Sequence, residues 1–220
     1  MIELDLNASC LYGSIDSNSS LFRLVQLQKL NLANNDFGGS QIPSALGNLS
    51  ELTALELSHS LFVGEIPSEI SKLSKLTYLS LFSHYNVYSK RFLKLKMPDL
   101  RSLVQNLTNL AYLGLASVDI SFPVPDIFAN LSSLRAITLI NCGLQAKFPE
   151  AVFQLPNLQY LDMRHNPGLT GPLPASIGNL HSLESLMICS CNFFSVLGFV
   201  AITCAANGRH QPLTIDSHHC

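Results

Sequence analysis

Leu161-Asp162-Met163-Arg164-His165-Asn166 opens a stretch that runs on through Gly171-Pro172-Leu173-Pro174 to Ile177-Gly178-Asn179-Leu180. It contains an L-x-L pair, a polar turn residue five places after the pair begins, and a Gly-x-Leu-Pro run behind them. Each element recurs. The pair is found again at Leu4-Asp5-Leu6, Leu30-Asn31-Leu32, Leu55-Glu56-Leu57, Leu79-Ser80-Leu81, Leu113-Gly114-Leu115, Ile137-Thr138-Leu139 and Leu186-Met187-Ile188. Successive pairs begin 26, 25, 24, 34, 24, 24 and 25 residues apart. One insertion aside, the chain repeats about every 24 residues, within the range expected of leucine-rich repeats.

The other elements keep the same register. Gly13-Ser14-Ile15 and Gly64-Glu65-Ile66-Pro67 match the run at Gly171, and Gln41-Ile42-Pro43, Val124-Pro125 and Lys147-Phe148-Pro149 are looser forms. The turn back toward the next pair reads Leu46-Gly47-Asn48-Leu49, Phe128-Ala129-Asn130-Leu131 and Ile177-Gly178-Asn179-Leu180. Residues two apart on a strand share a face. One short strand cannot bury that face alone, so neighbouring coils stack and share an apolar column. The fold class expected is therefore an α/β repeat: a right-handed solenoid with a parallel sheet on its concave face. Segments such as Ser44–Leu49, Ser68–Leu73 and Glu150–Leu155 should be short helical turns on the convex side. The array should cover residues 1–198 as about eight repeats with an irregular insertion within 83–109. Residues 199–220 leave the pattern and are expected to be a disordered tail.

The turn position reads Ser9, Asn35, Ser60, His84, Val118, Cys142, Asn166 and Cys191. A polar side chain there would satisfy buried backbone groups of adjacent coils. Val118 cannot, which predicts a local defect near the fifth repeat.

The composition excludes several classes. Hydrophobic residues make up 47% of the chain, charged residues only 13%, and the net charge is −2, which argues against nucleic-acid binding. There is no phosphate loop, kinase motif or Gly-x-Ser-x-Gly. Asp5, Glu56 and Asp162 share a column but lie in repeats one, three and seven, too far apart for acid–base work. No catalytic residue, metal or cofactor is expected. Cys204, His210, His218, His219 and Cys220 lack the close paired spacing of zinc ligands, and six cysteines permit fifteen pairings without selecting one. Met1-Ile2-Glu3-Leu4-Asp5 does not read as a signal peptide. The apolar stretch from Phe193 to Ala206 is shorter than the roughly twenty residues of a spanning helix.

Ile2-Glu3-Leu4-Asp5-Leu6, Leu11-Tyr12-Gly13-Ser14-Ile15, Leu30-Asn31-Leu32-Ala33, Pro67-Ser68-Glu69-Ile70-Ser71, Pro98-Asp99-Leu100-Arg101-Ser102-Leu103 and Asn141-Cys142-Gly143-Leu144 resemble the ectodomain of plant leucine-rich-repeat receptor-like proteins. These are cell-surface receptors of the disease-resistance class that lack a kinase. The resemblance covers about residues 2–195. It implies an extracellular array that senses a peptide or protein ligand, with a co-receptor kinase as a further partner and a plasma-membrane location. It also implies a signal peptide, caps at both ends and one membrane helix, none of which is read in this sequence. The expectation is thus a fragment that meets the membrane only through a segment outside this chain. Two alternatives remain: a secreted inhibitor of pathogen cell-wall hydrolases, and a gene fragment without function.

The residues flanking the inward leucines form three outward columns. Tyr78, Phe82, Tyr112, Tyr160, Asp162 and Arg164 are the candidate ligand-binding residues, because aromatic and Arg side chains dominate interface hot spots. Lys90, Arg91, Lys94 and Lys96 of the insertion could meet an acidic ligand. Asn7, Asn18, Asn48, Asn106 and Asn130 head N-glycosylation acceptor triplets. Three of these five share one convex position, which fits either a secretory history or a repeat consensus.

Overall fold

In a computed structural model the described residues are 2–82, 93–173, 175–188 and 191–193, with the strand segments 203–206 and 209–212. The first member of each L-x-L pair becomes the centre of a three-residue strand: β1 (Glu3–Asp5), β2 (Lys29–Asn31), β3 (Ala54–Glu56), β4 (Tyr78–Ser80), β5 (Tyr112–Gly114), β6 (Ala136–Thr138), β7 (Tyr160–Asp162) and β8 (Ser185–Met187). They form one parallel sheet in sequence order, with every central Leu or Ile opposite the next. The central residues of β2 to β8 are at most 1% exposed, and with Leu52, Leu76, Leu110, Leu134 and Leu158 they build the continuous column the period requires.

The G-x-I-P elements start the convex turns. Pro43, Pro67, Pro125 and Pro149 sit in extended backbone as the capping residue of 3₁₀ turns at Ser44–Asn48, Ser68–Lys72, Asp126–Asn130 and Glu150–Gln154. Proline's fixed φ suits that entry and removes a donor the turn does not use. The insertion contributes a ten-residue α-helix, Met97–Asn106, in the place of one 3₁₀ turn, and Leu100, Leu103 and Val104 return its apolar side to the core. Residues 83–92, including Lys90 and Arg91, lie outside the described residues. In the off-pattern tail, Thr203–Ala206 pairs antiparallel with Arg209–Pro212; the rest of that segment, where disorder was expected, also lies outside them.

The turn column ties coil to coil. Five members donate to the carbonyl of the second pair residue in the preceding coil: Asn35 to Leu6 (2.8 Å), Ser60 to Leu32 (2.6 Å), Cys142 to Leu115 (3.0 Å), Asn166 to Leu139 (2.7 Å) and Cys191 to Met163 (3.0 Å). The two asparagines also accept. Asn35 Oδ1 takes the Leu11 N–H, and Asn166 Oδ1 takes those of Cys142 and Leu144 at 2.9 and 3.1 Å. Burial pushes the Cys142 thiol up to about 12, so it stays a protonated donor. The break expected near Val118 is not seen in the ladder. β5 pairs on both sides, and the Leu115 and Ser117 N–H groups reach Thr138 and Ile140. Main-chain bonds hold the coil together, and Val118 is simply packed, at 0% exposure.

Candidate ligand-binding face

The concave sheet carries three outward columns, and the register fixes which side chains meet. In the first, Tyr78, Tyr112, Ala136 and Tyr160 lie opposite one another on adjacent strands. The Tyr78 and Tyr112 rings stack with centroids 4.5 Å apart and planes 8° from parallel. The Tyr78 hydroxyl donates to Glu56 at 2.8 Å. Its pKa is raised, first by burial and then by that carboxylate. Burial also raises Tyr112 and Tyr160, and the charge of Asp162 adds to the shift at Tyr160.

Phe82 joins this platform across Gly114. A Cβ at Gly114 would lie 2.5 Å from a Phe82 ring carbon and 3.0 Å from Tyr112, so only glycine lets the two rings cover that strand. Phe82 also meets His59 nearly at right angles, with centroids 6.2 Å apart. Tyr78, Tyr112 and Phe82 thus form one half-buried aromatic surface.

The second cluster lies on β7. Asp162 is 0% exposed, beneath an Arg164 side chain that is 36% exposed. The guanidinium donates to both carboxylate oxygens, Nε at 3.0 Å and Nη2 at 2.9 Å. Asp162 therefore differs from the expectation that placed it on the recognition surface. Its carboxylate is enclosed and bonded from above by Arg164, and it also accepts the Arg164 N–H at 3.1 Å. This is a general device of the second column. Asp5, Asn31 and Glu56 accept the N–H two residues on, at 2.9, 3.1 and 2.9 Å. Such side chains close the strand end locally. The recurrence of Asp, Asn and Glu just after the first leucine was the signal for it. Tyr160 completes the cluster, its hydroxyl 3.4 Å from Asp162 and 3.6 Å from the Met187 sulfur.

The fourth position after each pair's start forms the rim. Ala8, Asn34, His59, Ser117, Asn141 and His165 all have φ between 51° and 60°. A left-handed residue there turns each of these six coils out of the sheet in the same way, though none of the six is glycine.

The remaining candidates lie elsewhere. Asn48, Asn106 and Asn130 are exposed, each the last residue of a convex turn or helix. Asn18 is exposed on another loop. Asn7 is exposed on the concave side, where it accepts from Asn34. In the insertion, Lys96 pairs with Glu65 at 2.5 Å. Among the described residues no His, Cys, Asp and Glu group could hold a metal, and no helix is long and apolar enough to cross a membrane.

These features define a leucine-rich-repeat solenoid with a side-chain-rich concave face. Leucine-rich-repeat family models match residues 108–167, 26–49 and 157–180. Receptor-like protein 6 of Arabidopsis thaliana is 41% identical over 191 residues, 86% of this chain and 19% of that protein. Receptor-like protein Cf-9 of Solanum pimpinellifolium is 43% identical over 193 residues, 87% of this chain and 21% of that protein. The chain belongs to the leucine-rich-repeat family, with repeats of the plant receptor-like-protein type. It spans about a fifth of the length of these relatives.

Solved structures agree. A TDR receptor matches with a TM-score of 0.76 at 28% identity, over 88% of this chain and 31% of that one. The ectodomain of the Arabidopsis thaliana receptor kinase GASSHO1/SCHENGEN3, in complex with CASPARIAN STRIP INTEGRITY FACTOR 2, matches at 0.76 and 30% identity, over 87% and 21%. The Arabidopsis receptor kinase HAESA, in complex with the peptide hormone IDA and the co-receptor SERK1, matches at 0.74 and 27%, over 87% and 30%.

Proposed function

We propose that this chain is the recognition array of a plant cell-surface receptor-like protein in defence signalling, and that it binds a peptide or protein rather than catalysing a reaction. The observation that carries the reading is the concave strip from β4 to β7. Tyr78, Tyr112 and Phe82 form a platform rigidified by stacking and by the bond to Glu56, and Tyr160 and Arg164 stand two to three strands away. Rigid aromatics give contact area at low entropic cost, and an Arg held by a buried carboxylate is already oriented. The resemblance to receptors solved with peptides, one of them with a co-receptor, supports the same reading. In it residues 1–198 act as one array, and glycans on Asn48, Asn106 and Asn130 leave the concave face uncovered.

The test uses the whole chain, secreted from plant cells and offered to a displayed library of random peptides. Enriched peptides should bind Tyr78→Ala, Tyr112→Ala and Arg164→Ala about tenfold more weakly, while Lys75→Ala, on the convex side, leaves binding unchanged. Enrichment insensitive to all three concave substitutions would refute the reading.

A further inference from the structure

The tyrosine column has one gap. From β4 to β7 it reads Tyr78, Tyr112, Ala136, Tyr160, each opposite the next by strand register. The first two rings show what the column does when filled: neighbours one strand apart stack at 4.5 Å, nearly parallel. At Ala136 that stack is interrupted by a side chain that ends at a methyl, itself partly exposed. Tyr112 and Tyr160 stand on either side, two strand steps apart.

The spacing suits one inserted ring. Adjacent strands lie about 4.8 Å apart, so two steps open about 10 Å between the flanking positions. Aromatic pairs stack with centroids about 4.5 to 7 Å apart. A ring placed over Ala136 would therefore meet Tyr112 on one face and Tyr160 on the other, where two rings would be too thick. The floor is the Ala136 methyl with Thr138, which is 5% exposed, next on the same face of the strand. Neither flanking ring is disposed to collapse into the gap. Tyr112 is held by its stack on Tyr78, and the Tyr160 hydroxyl reaches Asp162 on its own strand and Met187 on the strand beyond.

We propose that the position over Ala136 is a specificity pocket for a single aromatic side chain of the bound peptide, clamped between Tyr112 and Tyr160. This rests on the concave-face reading above and adds the chemistry of one ligand residue to it. Aliphatic side chains lack the planar faces that both walls present. Charged side chains would give up hydration between two rings and the Ala136 methyl without a ring contact in return. The pocket thus selects Phe, Tyr or Trp at one place in the peptide.

The first measurement uses N-acetyl-tryptophanamide as probe and methyl-labelled alanine in the whole chain. Stacking over Ala136 should move its methyl resonance upfield with saturable dependence on probe, and leave the Ala54 methyl, in the same column two strands before Tyr112, unmoved. The second compares the random-peptide selection on the wild type and on Ala136→Phe, which fills the gap from within. Ala136→Leu serves as a second filler, and a thermal melt shows that each variant is folded. The expected result is a consensus with one fixed aromatic residue on the wild type, bound about tenfold more weakly by both fillers. A consensus without a fixed aromatic, but sensitive to Tyr78→Ala, overturns the pocket and leaves the concave reading standing. An aromatic consensus bound equally well by folded Ala136→Phe also overturns it. Absence of any enriched peptide overturns both.

Discussion

Asn166→Ala tests the inter-coil account most sharply. Asn166 is fully buried and makes five hydrogen bonds, three from its amide nitrogen to Leu139, Met163 and Arg164 carbonyls and two to its oxygen from Cys142 and Leu144 N–H groups. Truncation leaves two main-chain N–H groups and the Leu139 carbonyl without this partner, inside a region that water does not reach. Each orphaned buried group costs about 1 to 3 kcal/mol. Partial relaxation offsets some of this, so the loss should be about 3 to 5 kcal/mol. Asn166→Ser separates the components. Ser60 shows that a hydroxyl at this position reaches the preceding carbonyl, so serine should keep that bond while forfeiting the two N–H contacts, at about half the cost. Urea unfolding gives the global value, but repeat arrays can open in parts. Amide exchange at Cys142 and Leu144 is therefore read alongside, and both protons should lose protection in either variant. A cost below about 1 kcal/mol for alanine, or serine as damaging as alanine, would refute the argument.

Other expectations follow from the same structure. Cys142 titrates near 12 when folded against an ordinary 9.0, so the unfolded state ionises first. Stability from this group is complete below pH 9 and is lost as pH rises from 9 toward 12. Urea midpoints should fall more steeply across pH 9 to 11 in wild type than in Cys142→Ser, and parallel slopes would contradict this. Gly114→Ala should push Phe82 and Tyr112 apart at about 1 kcal/mol, because the clashing atoms are ring ends on a half-exposed face. The near-ultraviolet circular dichroism should change markedly, and an unchanged spectrum would count against the platform. On the chain secreted from plant cells, enzymatic deglycosylation in heavy-oxygen water should mark Asn48, Asn106 and Asn130. Detection of none of them would remove the argument that their shared convex position reflects glycosylation.

The sheet was readable because its cause is a period: L-x-L every 24 residues or so allows one stacking and one register. The convex turns were readable for a similar reason, since proline restricts the backbone wherever it stands. The left-handed rim was not. Ala8, His59 and Ser117 share no side-chain chemistry, and their conformation is imposed by the coil rather than by the residue. The aromatic members of the face were visible as outward positions, but Asp162 was misplaced as surface. Alternation says which way a side chain starts, not whether its neighbour folds over it, and Arg164 does. The role of Gly114 was equally hidden, because the ring it accommodates arrives from the preceding coil. The ladder runs on past Val118 because the sheet's main-chain bonds do not depend on the turn side chain.

The bonds that the turn column donates to carbonyls all reach back one coil and span nearly equal lengths of chain, whichever of Asn, Ser or Cys makes them. A coil is therefore a cassette with one donor that reaches back and one carbonyl that waits to be reached. Removing a whole coil, or copying one, therefore joins a donor to a carbonyl of the same kind wherever the turn residue at the new junction is Asn, Ser or Cys, and an Asn there also serves the N–H groups behind it. Unequal exchange between repeats can thus lengthen or shorten the concave face in whole steps and carry the outward side chains along as a set. Under this rule new recognition surfaces can arise by recombination without the core having to be rebuilt.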